Sequence, residues 1–294
     1  MNEDIWLSRR RVSRRRALAL GGTVSLGGLL AACGGDDNGS GADTAAKTAT
    51  TETSTAPTTA TGSSNVTALL DKAPTCTMTA EQTQGPYWFD VDSIRDDVRE
   101  QRPGARLDLA LRVQDLSKCE EGGAAAPVTN AVVEIWHCDA GGSYSGFESG
   151  STGGGGGPPG GPGGGGSGGE TSNGSYSEGD QEASPTDDGT YLRGAQPTGK
   201  DGIARFTTIY PGWYRGRTVH IHLKVHIDKE SVLTSQIYFD EKLNSQVFAT
   251  SPYDERTGRD TFNDGDGIYD TSGLVSVTKQ DDGYLGAINL GVNT

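Results

Sequence analysis

Two histidines in the segment TVHIHLKVHI, residues 218–227, are the side chains best suited to metal chemistry. Side chains alternate between the two faces of a strand, so His220 and His222 project from one face, close enough to bind a single metal ion. That face also holds Lys224 and His226, whereas the opposite face is entirely apolar and is predicted to face the core. Taken alone, the H-x-H pattern fits a solvated polar face as well as a metal site.

The kind of metal depends on the other ligands. A zinc site with two histidines and one carboxylate stays open, but the sequence marks no third ligand for it. A cupin-type site needs a glutamate four residues after His222, where this chain has His226. Tyr214, six residues before His220, offers a phenolate oxygen, which suits a hard trivalent ion when combined with neutral imidazole. Such an ion would lower the pKa of a phenol far below its usual value of about 10.

The segment TTIYPGWYRGRTVHIHL, residues 207–223, resembles the intradiol ring-cleavage dioxygenases, which are non-haem iron(III) enzymes built on a β-sandwich. The resemblance covers most of residues 76–270 and is closest to the exported branch of the family. The sequence Arg217-Thr218-Val219, where the family usually has Arg-Pro-Ala, is associated with that branch. The other matching segments are EQTQGPYW (81–88), VTNAVVEIWHCDAGGSYSGF (128–147), YLRGAQPTGKDGIARFTTI (191–209) and SQIYF (235–239).

The resemblance implies a set of iron(III) ligands made of two tyrosines and two histidines. Tyr214, His220 and His222 fall directly on the family motif. The first tyrosine is assigned to Tyr144 because its Gly-Gly-x-Tyr context matches. Tyr191, which precedes a recognisable Leu-Arg-Gly, is the competing assignment.

Further roles follow from the resemblance. Tyr214 would leave the metal when substrate binds and take up a substrate proton. Arg217 matches the active-site arginine, which would stabilise negative charge developing on the ring. Gln236 matches a glutamine near the metal. The run Gly85, Pro86 and Tyr87 matches a segment that lines the substrate pocket, although turn and core roles stay open for the last two.

The implied activity is cleavage of a catecholic ring between its hydroxyl-bearing carbons, with O₂ as co-substrate and a cis,cis-muconate-type diacid as product. The partners are therefore a small-molecule catechol and O₂. The sequence does not say which catechol is used, nor the oligomeric state. The alternative is a non-catalytic β-sandwich lipoprotein, a cell-surface binding module that kept the fold without turnover.

The elements that must position these residues are short strands. Alternation of apolar and polar residues, with turn signals between the runs and no convincing amphipathic helix, predicts an all-β fold, an antiparallel β-sandwich in one domain of residues 69–294. A glycine-rich segment, residues 150–169, predicts a disordered insert that continues to residue 188. The acidic run NDGDG, residues 263–267, lacks the ligand spacing of a calcium loop and predicts turns. The predicted strands are 107–115, 128–137, 203–209, 218–227 and 232–239.

The N-terminal segment has the order of an export signal. Residues 1–32 are first basic and then apolar, and the Ser-Arg-Arg-Arg run from Ser13 resembles a twin-arginine signal, with the run from Ser8 as a second register. Leu30-Ala31-Ala32-Cys33 resembles a lipobox, which predicts lipidation of Cys33; a plain cleaved signal is the alternative. Residues 33–68 are predicted to be a flexible tether. The expected location is the outer face of the cytoplasmic membrane, or outside the cell if the lipobox is not used.

Charge, hydropathy and cysteine content limit the possible binding partners, membrane contacts and disulfides. The net charge of −14 argues against nucleic-acid binding, which needs a basic surface. No apolar run approaches the roughly 20 residues of a membrane span, so any membrane contact is expected through the anchor alone. Export permits a disulfide. Cys119 and Cys138 are the tentative pair because they flank a strand-turn-strand segment, which leaves Cys76 over.

Overall fold

Two β-sheets packed face to face form the domain in the computed structural model, which describes residues 59–91, 93–117, 119, 125–148 and 183–294. The predicted export signal, Cys33, most of the predicted tether and the glycine-rich segment 150–169 lie outside these described residues. These described residues belong to one compact unit. None of the helices in the described ranges is long and apolar enough to span a membrane.

The first sheet has five strands: β1 (Arg106–Asp115), β2 (Ala126–Pro127), β5 (Ile203–Ile209), β8 (Ser276–Gln280) and β9 (Gly283–Val292). The second has four, in the order β4 (Arg193–Pro197), β3 (Val132–Trp136), β6 (His220–Ile227) and β7 (Glu230–Tyr238). Each of the five predicted strands is present, with ends shifted by up to four residues. The prediction of a mostly β fold is thus confirmed.

The prediction that all strands run antiparallel is wrong. In the first sheet β1 and β9 run parallel, from the pair Leu107–Tyr284 to the pair Asp115–Val292. No hairpin joins these two strands, because almost the whole domain separates them in sequence. Their relative direction is therefore free of the constraint that a short turn imposes.

Strand β6 positions the candidate ligands. Its residues Ile221, Leu223 and Val225, with Val219 just before the strand, are at most 1% exposed and pack in the core between the sheets. This confirms the predicted core face. The even-numbered residues, from His220 to His226, project from the outer face of the second sheet, where loops cover them.

Two helices were not expected. Helix α1 (Thr59–Leu70) begins inside the segment 33–68 that the sequence predicts to be a tether. Its residues Val66 and Leu70 pack with Leu285 and Ala287 on the outer face of the first sheet, so apolar burial orders this part of the segment. Helix α2 (Glu241–Phe248) begins after Asp240, whose side chain accepts hydrogen bonds from two backbone N–H groups. Eight residues are too few for a clear helical period.

The predicted insert is shorter than expected on its C-terminal side. Residues 183–188 are held by the domain: the Ala183 N–H donates to the Trp88 carbonyl at 2.7 Å, and the Thr186 N–H donates to the Gly146 carbonyl at 2.7 Å. These contacts tie the segment to the loop that contains Tyr144.

The predicted pairing of Cys119 with Cys138 is wrong, because the disulfide joins Cys76 to Cys119, with 5.8 Å between their Cα atoms. Cys76 precedes a segment that bridges to Gly291 at the end of β9, and Cys119 follows Leu116, which bonds to Val292. The parallel β1–β9 pair therefore brings both to one place. Cys138 is a free, buried thiol that faces the Gly212 carbonyl at 3.5 Å.

Candidate metal centre

Four side chains converge on the outer face of the second sheet. The Nε2 atom of His220 lies 3.0 Å from the Tyr214 hydroxyl, 3.4 Å from the Tyr144 hydroxyl and 3.1 Å from His222 Nε2. Tyr144 and both histidines are at most 2% exposed, whereas Tyr214 is partly exposed. The four residues that the sequence analysis assigns as ligands are thus brought together, although they come from three separate segments.

A backbone hydrogen bond sets the protonation of His220. Its Nδ1 lies 2.6 Å from the Thr218 carbonyl, which can only accept, so Nδ1 bears the proton. In the neutral ring, Nε2 then has a lone pair directed at the two phenols. Burial, reinforced by the positive charge of Arg217, lowers the pKa of His220 to about 3. The imidazole is therefore neutral and ready to bind a metal.

Two neighbours fix the ring of His222. The β3–β6 pairing places Trp136 opposite His222, and the two rings stack with centroids 5.0 Å apart and planes 6° from parallel. Gly85 approaches the edge of the same imidazole: a Cβ atom there would lie 3.2 Å from Cε1. Gly85 has φ of +72°, a conformation that favours glycine. Burial and the neighbouring His220 lower the pKa of His222 well below its usual value.

An aromatic cluster holds Tyr144. The ring of Tyr87 stacks on it with centroids 4.7 Å apart, and Phe147 packs against Tyr87 at 5.1 Å. Tyr87 and Gly85 therefore lie beside the candidate ligands, against Tyr144 and His222 respectively. Pro86, between them, is exposed.

The loop after β3 is clamped by a residue that sequence reasoning missed. Arg193, on β4, is 2% exposed, and its guanidinium donates to the Ser145 hydroxyl and carbonyl, both at 2.8 Å. Its guanidinium also lies 4.2 Å from the centre of the Phe89 ring. Because Ser145 directly follows Tyr144, this clamp fixes the backbone that presents the tyrosine. Arg193 stands in the Leu-Arg-Gly motif, which was the available signal.

Tyr191, the competing ligand, lies elsewhere. Its ring packs under the guanidinium of Arg102, 3.5 Å from the ring centre, and it clusters with Leu192 and Ile209. Its backbone carbonyl accepts a hydrogen bond from the Ser145 hydroxyl. The contacts of its ring are thus with Arg102 and this small cluster, and not with the histidine pair.

Arg217 extends toward the four candidate ligands, and hydrogen bonds on two sides fix the orientation of its guanidinium. Its Nε donates to Asp266 at 2.9 Å, and its Nη2 donates to the amide oxygen of Gln236 at 2.5 Å. Gln236 is fully buried and its amide nitrogen donates to the Thr83 carbonyl. Arg217 and Gln236, to which the resemblance assigns catalytic roles, are therefore hydrogen-bonded to each other.

Asp266 is the second residue that the sequence analysis missed, since the run NDGDG was interpreted as turns. Its side chain is 2% exposed and accepts from the backbone N–H groups of Thr218 and Ile268 as well as from Arg217. Burial alone would raise the pKa of Asp266, but these hydrogen bonds and the Arg217 charge outweigh it and lower the pKa. A fixed carboxylate thus holds the arginine 49 residues away in sequence.

The four donors fit a metal ion. Two ligands about 2.1 Å from one ion and 90° apart are themselves separated by about 3.0 Å, which matches the observed spacing. Burial raises the pKa of both phenols, so a phenolate here requires a nearby cation. Among the described residues, no group of three histidine, cysteine or acidic side chains could hold a metal. The candidate centre therefore depends on its two tyrosines, and anionic oxygen with imidazole suits a trivalent ion.

No protein-family model and no curated protein matches the chain. Among solved structures, an intradiol ring-cleavage dioxygenase from Tetranychus urticae is 29% identical with a TM-score of 0.59, and a second dioxygenase is 30% identical with a TM-score of 0.60. Each match covers 74% of this chain and 95% of the other. The dioxygenase domain of a carbohydrate-binding fusion protein from Streptomyces sp. SirexAA-E is 25% identical over 74% of this chain and 99% of that domain, with a TM-score of 0.47.

Proposed function

The chain belongs to the intradiol ring-cleavage dioxygenase family, and from that premise we propose that it is an iron(III) enzyme that opens a catecholic ring between its two hydroxyl-bearing carbons. The reaction would consume one catechol and one O₂ and place both oxygen atoms in a cis,cis-muconate-type diacid. The observation that supports this most directly is that two phenol oxygens and the Nε2 atom of His222 lie 3.0–3.4 Å from the Nε2 atom of His220.

Tyr144, Tyr214, His220 and His222 are the proposed ligands of the iron. When bound, iron(III) supplies a Lewis acid for the catechol oxygens and activates the ring toward O₂. The pair of histidines would enter as neutral ligands, because burial opposes their protonation. The two tyrosines would enter as anions and balance part of the charge of the ion.

Tyr214 is the tyrosine proposed to exchange with substrate. It is partly exposed, whereas Tyr144 is 1% exposed, covered by Tyr87 and held in a loop that Arg193 clamps. Displacement of Tyr214 therefore needs less rearrangement than displacement of Tyr144. Its Oη atom, once free of the ion, is a base for a proton of the catechol, since burial raises the pKa of this phenol.

Arg217 is proposed to stabilise the negative charge on the bound substrate. Its charge partly offsets the effect of burial on the Tyr214 phenol, which indicates that the guanidinium acts on this part of the site. The hydrogen bonds to Asp266 and Gln236 orient it before substrate arrives, so little reorganisation is needed during the reaction. Gly85 and Tyr87 are proposed to border the ring of the substrate.

Turnover of catechols tests the proposal. Iron-loaded protein would be given plain and ring-substituted catechols, with diacid formation followed by absorbance and O₂ uptake by electrode. The expected result is one O₂ consumed per diacid formed with at least one catechol. A protein that binds iron and catechol but consumes no O₂ would be a non-catalytic binding module and would contradict the proposal.

We also propose that the chain is exported and attached to the outer face of the cytoplasmic membrane by a lipid on Cys33. The Cys76–Cys119 disulfide supports export, because disulfides persist mainly in oxidising compartments. Replacing Arg14-Arg15 with Lys-Lys should block export by the twin-arginine route, and Cys33→Ala should leave unprocessed precursor. Efficient export of the double-lysine variant would contradict the assignment of Arg14-Arg15 as the signal and leave Arg9-Arg10 or the general secretory route. A wild-type protein found entirely soluble outside the cell would contradict the anchor.

A further inference from the structure

A cavity opens on the outer face of the second sheet, further along β6 than the candidate metal centre. Its volume is about 530 Å³, within the usual range of ligand pockets. Glu134 of β3 and His226 of β6 form part of its floor, and Val91, Ile94 and Val132 are among its apolar lining residues. The indole of Trp88 lies beside Glu134 on this face. The ammonium group of Lys224 lies 3.6 Å from the centre of the same indole ring.

The polar groups at the floor are preorganised but incompletely paired. The Trp88 indole N–H donates to Glu134 Oε1 at 2.9 Å, which fixes the carboxylate. The second oxygen, Oε2, lies 3.5 Å from His226 Nε2. His226 is 7% exposed, and its Nδ1 is buried with no hydrogen-bond partner among the described residues. Buried polar atoms are normally bonded, so an unpaired imidazole nitrogen beside a cavity indicates a missing partner.

The charges around the cavity determine which class of ligand it can bind. Three carboxylates, Asp90, Glu134 and Asp228, and one ammonium group, Lys229, line the cavity, and the ammonium of Lys224, the cross-strand neighbour of Glu134, is buried beside them, so acidic groups are in excess. An anionic ligand, including a diacid product, would be repelled. A hydroxyl group on the ligand would donate a hydrogen bond to the acceptors of Glu134 and His226 at the floor. A flat apolar ring would fill the space between the aliphatic side chains. Within the part of the chain that the structure describes, no aromatic residue lines the cavity, although sugar-binding sites commonly use one as a platform.

We propose that this cavity is a second small-molecule site that binds a phenolic ring, with the ring hydroxyl at Glu134 and His226 and the ring against Val91, Ile94 and Val132. The site does not depend on iron. Its occupancy is separate from that of the metal centre, so the proposed dioxygenase activity stands or falls independently of it.

Calorimetric titration of the iron-loaded protein with 4-methylphenol tests the site. To separate it from the metal centre, the titration is repeated on His220→Ala, in which a phenol cannot bind through iron. Saturable binding should persist in that variant. 4-Methylanisole, which has the same ring without the hydroxyl donor, should bind at least about tenfold more weakly, because the buried acceptors stay unpaired.

Two variants locate the binding. Glu134→Gln keeps the size and an acceptor for Trp88 but turns a donor toward the cavity, so affinity for 4-methylphenol should fall roughly tenfold. Ala195→Trp, on β4, should fill the cavity and abolish binding, with circular dichroism and a thermal melt as checks of folding. Glu255→Gln, an exposed carboxylate elsewhere, is the matched control and should bind like wild type.

Equal affinities for 4-methylphenol and 4-methylanisole would overturn the proposal, and so would loss of all binding in His220→Ala. It would also be overturned if both Glu134→Gln and Ala195→Trp, folded as judged by the melt, bound 4-methylphenol like wild type. Tighter binding of methyl glucoside than of 4-methylphenol would assign the cavity to sugars and contradict the phenolic assignment.

Discussion

The two faces of strand β6 are buried to almost the same degree but by different means. On the core face, Ile221, Leu223 and Val225 are fully buried by apolar side chains of both sheets. On the outer face, His220 and His222 are 2% exposed; the Nδ1 of His220 is hydrogen-bonded to the Thr218 carbonyl, and the ring of His222 stacks on Trp136. The core face stabilises the fold through area removed from water, whereas the outer face holds neutral imidazoles beside phenols at the cost of desolvation. Burial alone therefore does not distinguish a structural face from a chemical one.

Removing an imidazole from the outer face should have the largest effect. His220→Ala should lose iron, visible colour and ring-cleavage activity together, because one of two neutral nitrogen ligands is gone. The matched control is His226→Gln, on the same face six residues further along, which should keep all three. Iron analysis and visible spectroscopy of both purified variants provide the check. If His226→Gln also loses its iron, the distinction between the two ends of this face is wrong.

A substitution on the core face should act on stability. Ile221→Ala removes a fully buried side chain between two proposed ligands, which should lower the free energy of unfolding by about 2–5 kcal/mol. The folded protein should retain iron, since the side chain points away from the cluster. Urea unfolding followed by circular dichroism measures the first effect and iron content the second. Loss of iron without loss of stability would show that the two faces are not separable.

Arg217→Ala should keep iron and colour but lower kcat by about 10²–10³, because the guanidinium acts on charge that develops during the reaction. Steady-state kinetics with the preferred catechol measure this change. Arg215→Ala, at a neighbouring exposed arginine, is the control and should turn over normally. Unchanged turnover in Arg217→Ala would reduce that residue to a structural cation.

The smallest of these effects is expected for Asp266→Asn, which acts through Arg217. The asparagine keeps a carbonyl acceptor but loses the charge that orients the guanidinium, so kcat should fall about tenfold while KM changes little. Combining it with Arg217→Ala should add almost no further loss, since both variants remove the same oriented charge. Additive losses would indicate that Asp266 has a separate role.

Much of this arrangement could be predicted from local sequence. Period-two alternation defined both faces of β6, and the tyrosine and histidine spacings matched a family motif. The partners that fix them could not be predicted in the same way. Asp266 and Arg193 reach the site from segments 48 residues or more from the groups that they hold, within runs that look like turns or ordinary strand. The Cys76–Cys119 pairing depends on β1 and β9 being parallel neighbours, which no local pattern encodes.

The most direct test of the central claim is the iron content of the purified protein together with its visible spectrum, compared with those of Tyr144→Phe and Tyr191→Phe. The account predicts one iron per chain and a tyrosinate-to-iron(III) charge-transfer band in wild type. Tyr191→Phe should keep the band, because its ring packs under Arg102, whereas Tyr144→Phe should lose or strongly shift it. An iron-loaded wild type without the band, or a band that survives Tyr144→Phe and vanishes in Tyr191→Phe, would contradict the proposed ligand set.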